Sequence, residues 1–220
     1  MKFIVPKEDI LDLLNKQLNF FFINEEEYKI LCKHYEEVLS RCEVCFSKNP
    51  NKYFFDEGIT CFNPFHSVQY MIFLYYFGNT IYKSSPGNSI LYNKIYYLNK
   101  MLNSVDIFPA VELPSFFMAE HPVGSVIGRA KIGSGFMFFQ NCTIGGIERG
   151  KEKKEVYPIL GDNVTMYAAT SIIGDCRIGD NVNLGAGTMV KNQDIPDNHN
   201  VFGISPNLIL RPKNKYNHEK

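Results

Sequence analysis

Large apolar residues recur at every sixth position through the second half of the chain. Val126, Ile132, Phe138 and Ile144 form one run, and Leu160, Met166, Ile172, Ile178, Leu184 and Val190 form another. Helices repeat at 3.6 residues and half-buried strands at two, so neither produces this period. A hexad suits a parallel β-helix: each six residues supply a short strand and a turn, and three hexads close one triangular coil. The large residue then points inward. Four positions later the residue tends to be small or β-branched, as at Ala130, Cys142, Val164, Thr170, Cys176, Val182 and Thr188, with Phe136 the exception. Gly133, Gly145, Gly161, Gly179 and Gly185 directly follow a large residue and suit corners with unusual dihedrals. Coils stacked about 4.8 Å apart pair their backbone groups with the coils above and below.

The count breaks between Ile144 and Leu160, where "GGIERGKEKKEVYP" holds too many residues for a turn. This predicts an extended loop over 147–158, too charged to fold back on an apolar prism. Lys151, Lys153 and Lys154 make the densest basic patch, and a solvated loop is the ordinary reading of such a run.

The first hundred residues follow helical periods instead. Asn24 with Glu27 is an N-cap pattern, and the apolar residues Ile30, Leu31, Tyr35, Val38, Leu39 and Cys42 follow it. A second helix is expected from His66 through "SVQYMIFLYYFGNTIY", and a third after the "SSPG" turn, through "ILYNKIYYLNKML". The reading is an α+β chain: an N-terminal helical domain over 1–104, a β-helix of hexapeptide repeats over 105–210, and a tail over 211–220.

Twenty-three basic residues balance 23 acidic ones, so no global field draws the chain to nucleic acid or an anionic membrane. No window holds about 18 uninterrupted apolar residues, and no signal peptide is read. A cytoplasmic location with reduced thiols is expected. Cys42 and Cys45 form one C-x-x-C with no second pair to complete a zinc site. Cys142 and Cys176 fall at small inward positions of the repeat, which suits packing.

"DIFPAVELPSFFMAEHPVG" (106–124), the helix before it, "CTIGG" (142–146) and "NLGAGTMVKNQDIPDNHNVFGISPNLIL" (183–210) occur in the order seen in bacterial serine acetyltransferases. Over roughly residues 60–210 the chain resembles that family. The resemblance implies a left-handed coil and acetyl-CoA as co-substrate with no metal. A prism of three flat sides has no deep pocket of its own, so the loop is expected to reach a neighbouring subunit and wall the His121 groove in a homotrimer, with the aromatic helices near Tyr70–Phe77 and Tyr92–Leu98 available to pair two trimers. An Asp and a His fifteen residues apart form the family's catalytic dyad, and Asp106 and His121 have that spacing. A neutral imidazole can take the proton of an attacking alcohol, and a carboxylate on its other nitrogen fixes the tautomer. His121 is also the only histidine between residues 67 and 198, which disfavours the three-histidine zinc of a gamma-class carbonic anhydrase. The positions matching the family's acyl-donor groove are Gly145, Gly146, Ala168, Ala186 and Gly187, with Lys191 placed for nucleotide phosphates.

Two departures stand out. Val156 and Tyr157 replace the family's Arg-His pair, which helps hold the amino acid, and Glu120 replaces the Asp before the catalytic histidine. Without that guanidinium, a sugar hydroxyl of a surface polysaccharide is the expected acceptor, contacted by Glu120 and Tyr157. L-serine is the alternative, and a non-catalytic β-helix serving assembly is the alternative from another class.

Overall fold

The computed structural model describes residues 1–84, 87–150 and 154–213. The chain divides into two compact units, Met1–Val111 and Glu112–Lys220.

The first unit holds four helices: α1 (Lys7–Leu18), α2 (Glu25–Phe46), α3 (Ser67–Ser84) and α4 (Ser89–Asn103). Pro6, which reads as a break in the sequence, stands at the N-cap of α1, where its fixed φ suits helix entry. Asn24 and Glu27 close the capping box reciprocally, at 2.9 and 3.0 Å. Glu27 also pairs with Lys94 of α4 at 2.8 Å.

Helix α3 is apolar on every face, and its residues Val68 to Ile81 are all buried. Phe73 packs edge-on or tilted against Tyr35, Phe62 and Phe77 and stacks on Tyr70. Its polar members are satisfied internally: Gln69 accepts from the Asn63 N–H and donates to the Tyr53 carbonyl, and Asn79 donates to the Pro109 carbonyl. Burial therefore removes Tyr70–Phe77 from the surface, and that stretch is not available to pair trimers. Helix α4 keeps an exposed apolar face at Ile90, Tyr97, Met101 and Leu102. A three-stranded sheet of Lys2–Phe3, Ile59–Phe62 and Phe55–Asp56 completes the unit; strands this short leave no periodic signal in the sequence.

The second unit is a prism of parallel strands with three faces. The first face stacks Phe117–Ala119, Phe136–Phe138, Thr165–Met166, Asn183–Leu184 and His199–Ile204. The second stacks Val126–Ile127, Thr143–Gly145, Ser171–Ile173 and Met189–Lys191. The third stacks Lys131–Ile132, Ile159–Leu160 and Arg177–Ile178, and Ile195 bridges onto Ile178. Each hexad's large residue joins an inward row, Phe138–Met166–Leu184 on the first face and Ile144–Ile172–Val190 on the second. Val126 is the exception. Ile127 ladders with Ile144 and is buried, while Val126 faces out at 42% exposure. The small positions Cys142, Val164, Thr170, Cys176, Val182 and Thr188 are buried as expected, and Phe136 stacks on Phe138 within the prism.

Several corners are turned by asparagines in the left-handed region, Asn141, Asn163 and Asn181 at φ 56°, 55° and 54°. Asn207–Pro212 runs antiparallel along the last rung, His199–Ile204, so ordered strand continues into the tail. Among the described residues no helix is long and apolar enough to cross a membrane.

Candidate active site

Regular coils of the prism spend five positions passing from the first face to the second, from Phe138 to Thr143, Met166 to Ser171 and Leu184 to Met189. The first coil spends seven, from Ala119 to Val126. The surplus bulges from that corner and holds His121. His121 is exposed, its φ of 48° is unusual for a residue with a side chain, and its carbonyl accepts from the Val123 N–H at 2.7 Å. Below it the ladder continues through Gln140, Ala168 and Ala186, with the Ala169 N–H on the Gln140 carbonyl and the Gly187 N–H on the Ala168 carbonyl, both at 2.9 Å. His121, Ala168, Ala186 and Gly187 thus share one edge of the prism. Glu120 stands beside them, half-buried, its N–H on the Phe138 carbonyl.

An aromatic stripe runs outside this edge, and the sequence reading missed it. Phe139 and Tyr167 stack at 5.2 Å. Phe202 lies over Gly185, where an added Cβ would come within 2.5 Å of the ring. The residue after each inward-facing one points outward, so these aromatics were legible in principle from the hexad frame.

The remaining predicted residues lie on the second edge, between the second and third faces. Gly145, Ile173 and Lys191 are partners there, and Lys191 is exposed. Gly145 has open space where a side chain would stand. Gly146 does not: a Cβ would meet the Tyr157 ring at 2.6 Å and the Val156 carbonyl at 2.8 Å, so Gly146 is required by packing. The segment between them is an arm, with Ile147–Arg149 pairing antiparallel with Lys154–Val156. Residues 151–153, including Lys151 and Lys153 of the basic patch, lie outside the described residues. Both ends of the arm rest on the prism, contrary to the expectation that its charge would hold it away. Tyr157 covers Gly146, and Ile147 packs over Gly174, where a Cβ would come within 3.0 Å of the Ile147 side chain. The charge is confined to the middle.

Arg129 is the further residue at the arm's base. The Gly128 N–H donates to the Ile144 carbonyl at 2.8 Å, which puts Arg129 opposite Gly146 in the ladder and beside Tyr157. The Tyr157 hydroxyl donates to the Glu155 carboxylate. That bond pushes the phenol's pKa up, and a hydrogen bond from the Arg129 guanidinium opposes it.

Asp106 belongs to the first unit. Its two carboxylate oxygens accept from the Tyr96 hydroxyl and the Lys100 ammonium, each at 2.5 Å. The hydrogen bond to Asp106 raises the Lys100 pKa. Cys142 and Cys176 are buried, and burial pushes the Cys176 thiol up, as packing residues require. Among the described residues no group of three His, Cys, Asp or Glu side chains is placed to hold a metal.

The predicted residues of the second unit therefore fall into two candidate half-sites, with Asp106 apart in the first unit. His121, Glu120, Ala168, Ala186 and Gly187 line one edge; Gly145, Gly146, Tyr157 and Lys191 line the other. The second face separates them by about five residues, roughly 15 Å of extended chain.

No protein-family model matches the chain. A serine acetyltransferase of Synechococcus elongatus is 34% identical over 116 residues, which are 52% of this chain and 46% of that protein. One from Staphylococcus epidermidis is 29% identical over 168 residues, 76% of this chain and 75% of that protein. The match to the cyanobacterial relative thus spans about half of its length. Among solved structures, Neisseria gonorrhoeae serine acetyltransferase in complex with serine superposes with a TM-score of 0.63 at 26% identity, covering 85% of this chain and 73% of that one. In sequence and in fold the chain is serine acetyltransferase-like, a hexapeptide-repeat protein built on a left-handed β-helix.

Proposed function

We propose that this chain is an acetyl-CoA-dependent O-acetyltransferase whose acceptor is L-serine. The observation that carries the reading is the bulge that lifts His121 out of the first coil, in line with Ala168, Ala186 and Gly187. A linear donor can lie along that edge with its thioester at the imidazole. His121 takes the proton of the acceptor hydroxyl as the oxygen attacks the thioester carbonyl. The tetrahedral intermediate collapses, the C–S bond breaks, and the imidazolium returns the proton to the departing CoA thiolate. Asp106 is proposed as the dyad's carboxylate on its fifteen-residue spacing from His121. Both its oxygens accept hydrogen bonds within the first unit.

L-serine is preferred over the sugar hydroxyl expected from Val156 and Tyr157 for two reasons. The relatives are named for serine, and a guanidinium does stand at the arm's base, contributed by Arg129 rather than by the arm itself.

The proposal includes a homotrimer. The two half-sites lie on different edges of one prism and meet only between copies. If the second face turns toward a threefold axis, the His121 edge of one copy adjoins the arm edge of the next, and three equivalent sites close. The middle of that face suits such a position, since its outward residues Val126, Thr143, Ser171, Met189 and Ile204 carry no charge, and its one lysine, Lys191, stands at the far edge. The exposed face of α4 is the candidate for pairing two trimers.

The test is direct. Purified protein with acetyl-CoA should release free thiol on addition of L-serine. A kcat/KM for serine below about 10² M⁻¹s⁻¹, far under the range of real substrates, rejects the acceptor assignment. Thiol release with nucleotide sugars instead would restore the sugar reading.

A further inference from the structure

We propose that Arg129 is the specificity-determining cation of the acceptor site, and that it selects acceptors bearing a carboxylate. The inference rests on the acetyl-transfer reading and adds the residue that recognises the acceptor's carboxylate.

Arg129 is exposed and has no ion-pair partner among the described residues. Its position is nevertheless fixed. It stands opposite Gly146 in the ladder, and the Tyr157 ring fills the space over Gly146 that any side chain there would occupy. The phenol oxygen faces Arg129 and donates its own hydrogen bond to Glu155. One part of the guanidinium is thereby oriented by a tyrosine that is itself oriented by a carboxylate. A guanidinium has five N–H donors in a planar fork, so the others stay available. The complement of such a fork is a planar two-oxygen anion. Gly145, directly beside it, leaves open space where a bound molecule can approach the backbone.

Height along the prism separates this anion from the donor's phosphates. Arg129 and His121 both belong to the first coil, whereas Lys191 lies three coils away, about 14 Å at 4.8 Å per coil. With the prism axes parallel to a threefold, Arg129 of one copy stands level with His121 of its neighbour. An acceptor whose hydroxyl meets the imidazole can therefore rest its carboxylate on Arg129. A donor phosphate, a pantetheine arm away from the thioester, falls toward the level of Lys191.

The experiment compares L-serine with L-serinamide, which keeps the hydroxyl and the amine but has no carboxylate. In the wild type, kcat/KM should favour serine. Arg129→Ala should raise the KM for serine roughly 30-fold, the worth of one charged hydrogen-bonded contact, and leave serinamide and acetyl-CoA within twofold. Arg129→Lys should recover part of the loss. An unchanged serine-to-serinamide ratio in Arg129→Ala overturns the proposal, and so does a rise confined to the KM for acetyl-CoA, which would place a donor phosphate on Arg129. Calorimetric titration of L-serine into both proteins, without acetyl-CoA, separates this proposal from the reading beneath it. Serine binding that needs Arg129 but brings no turnover upholds the cation and sinks the acetyl-transfer reading. A wild type that binds no serine overturns the assignment of Arg129.

Discussion

His121 shows how a repeat marks a candidate site by breaking its own rule. The six-residue frame, carried back to Val126, passes over the bulge, because a surplus of two residues at one corner is visible only when strands are set in register. The Asp106–His121 spacing was legible from the family pattern, but the seven-residue corner that displays the imidazole was not. Arg129 was less legible still. Its partner Tyr157 is 28 positions later in the chain, and only the ladder brings them side by side. If His121 is the general base, His121→Ala should lower turnover by at least about 100-fold while acetyl-CoA binding, followed by calorimetry, stays near wild type. Wild-type turnover in that variant removes His121 from the mechanism.

At the scale of elements, the arm joins a charged middle to two apolar anchors. The loop was legible from the break in the hexad count, and the anchors went unread because Ile147 and Tyr157 are single residues whose partners, Gly174 and Gly146, are glycines on different coils. Helix α2 was legible because its signals are local: a cap, an acidic first turn and an apolar stripe. Helix α3 was found but its role was not, since a segment apolar on all sides reads equally as core or as interface. The anchors yield a prediction about the arm. Gly146→Ala forces the Tyr157 ring and the Val156 carbonyl to shift, because backbone and ring approach the new methyl at under 3.0 Å. A displacement of about an ångström at a binding group costs up to about 100-fold, so kcat/KM for serine should fall by one to two orders of magnitude. The thermal midpoint should move little, since the arm is peripheral to the inward rows. A variant with wild-type kinetics would mean that the arm's base does not position the acceptor.

For the whole molecule, the proposed trimer would tie activity to assembly, because the two candidate half-sites lie on separate edges. Ser171 and Met189 are neighbours on the uncharged middle of the second face. Ser171→Glu should set three carboxylates near the proposed axis, and like charges at short range in a low-dielectric interface are strongly unfavourable. Light scattering should then show one chain's mass in place of three, with turnover lost in parallel. An active Ser171→Glu monomer would contradict a site shared between copies. The strand Asn207–Pro212 has another consequence. A stack of parallel rungs has no intrinsic length: its last rung offers a row of unpaired N–H and C=O groups, and another prism could add to it end to end. By running antiparallel along His199–Ile204, the final strand spends those groups within the chain and sets the polarity of anything added beyond against continuation. Removing residues 207–220 should convert a discrete oligomer into material that elongates into filaments, visible as rising turbidity and thioflavin fluorescence. That outcome would make the hairpin a terminator, a strand that keeps a fold with the spacing of a fibril from becoming one.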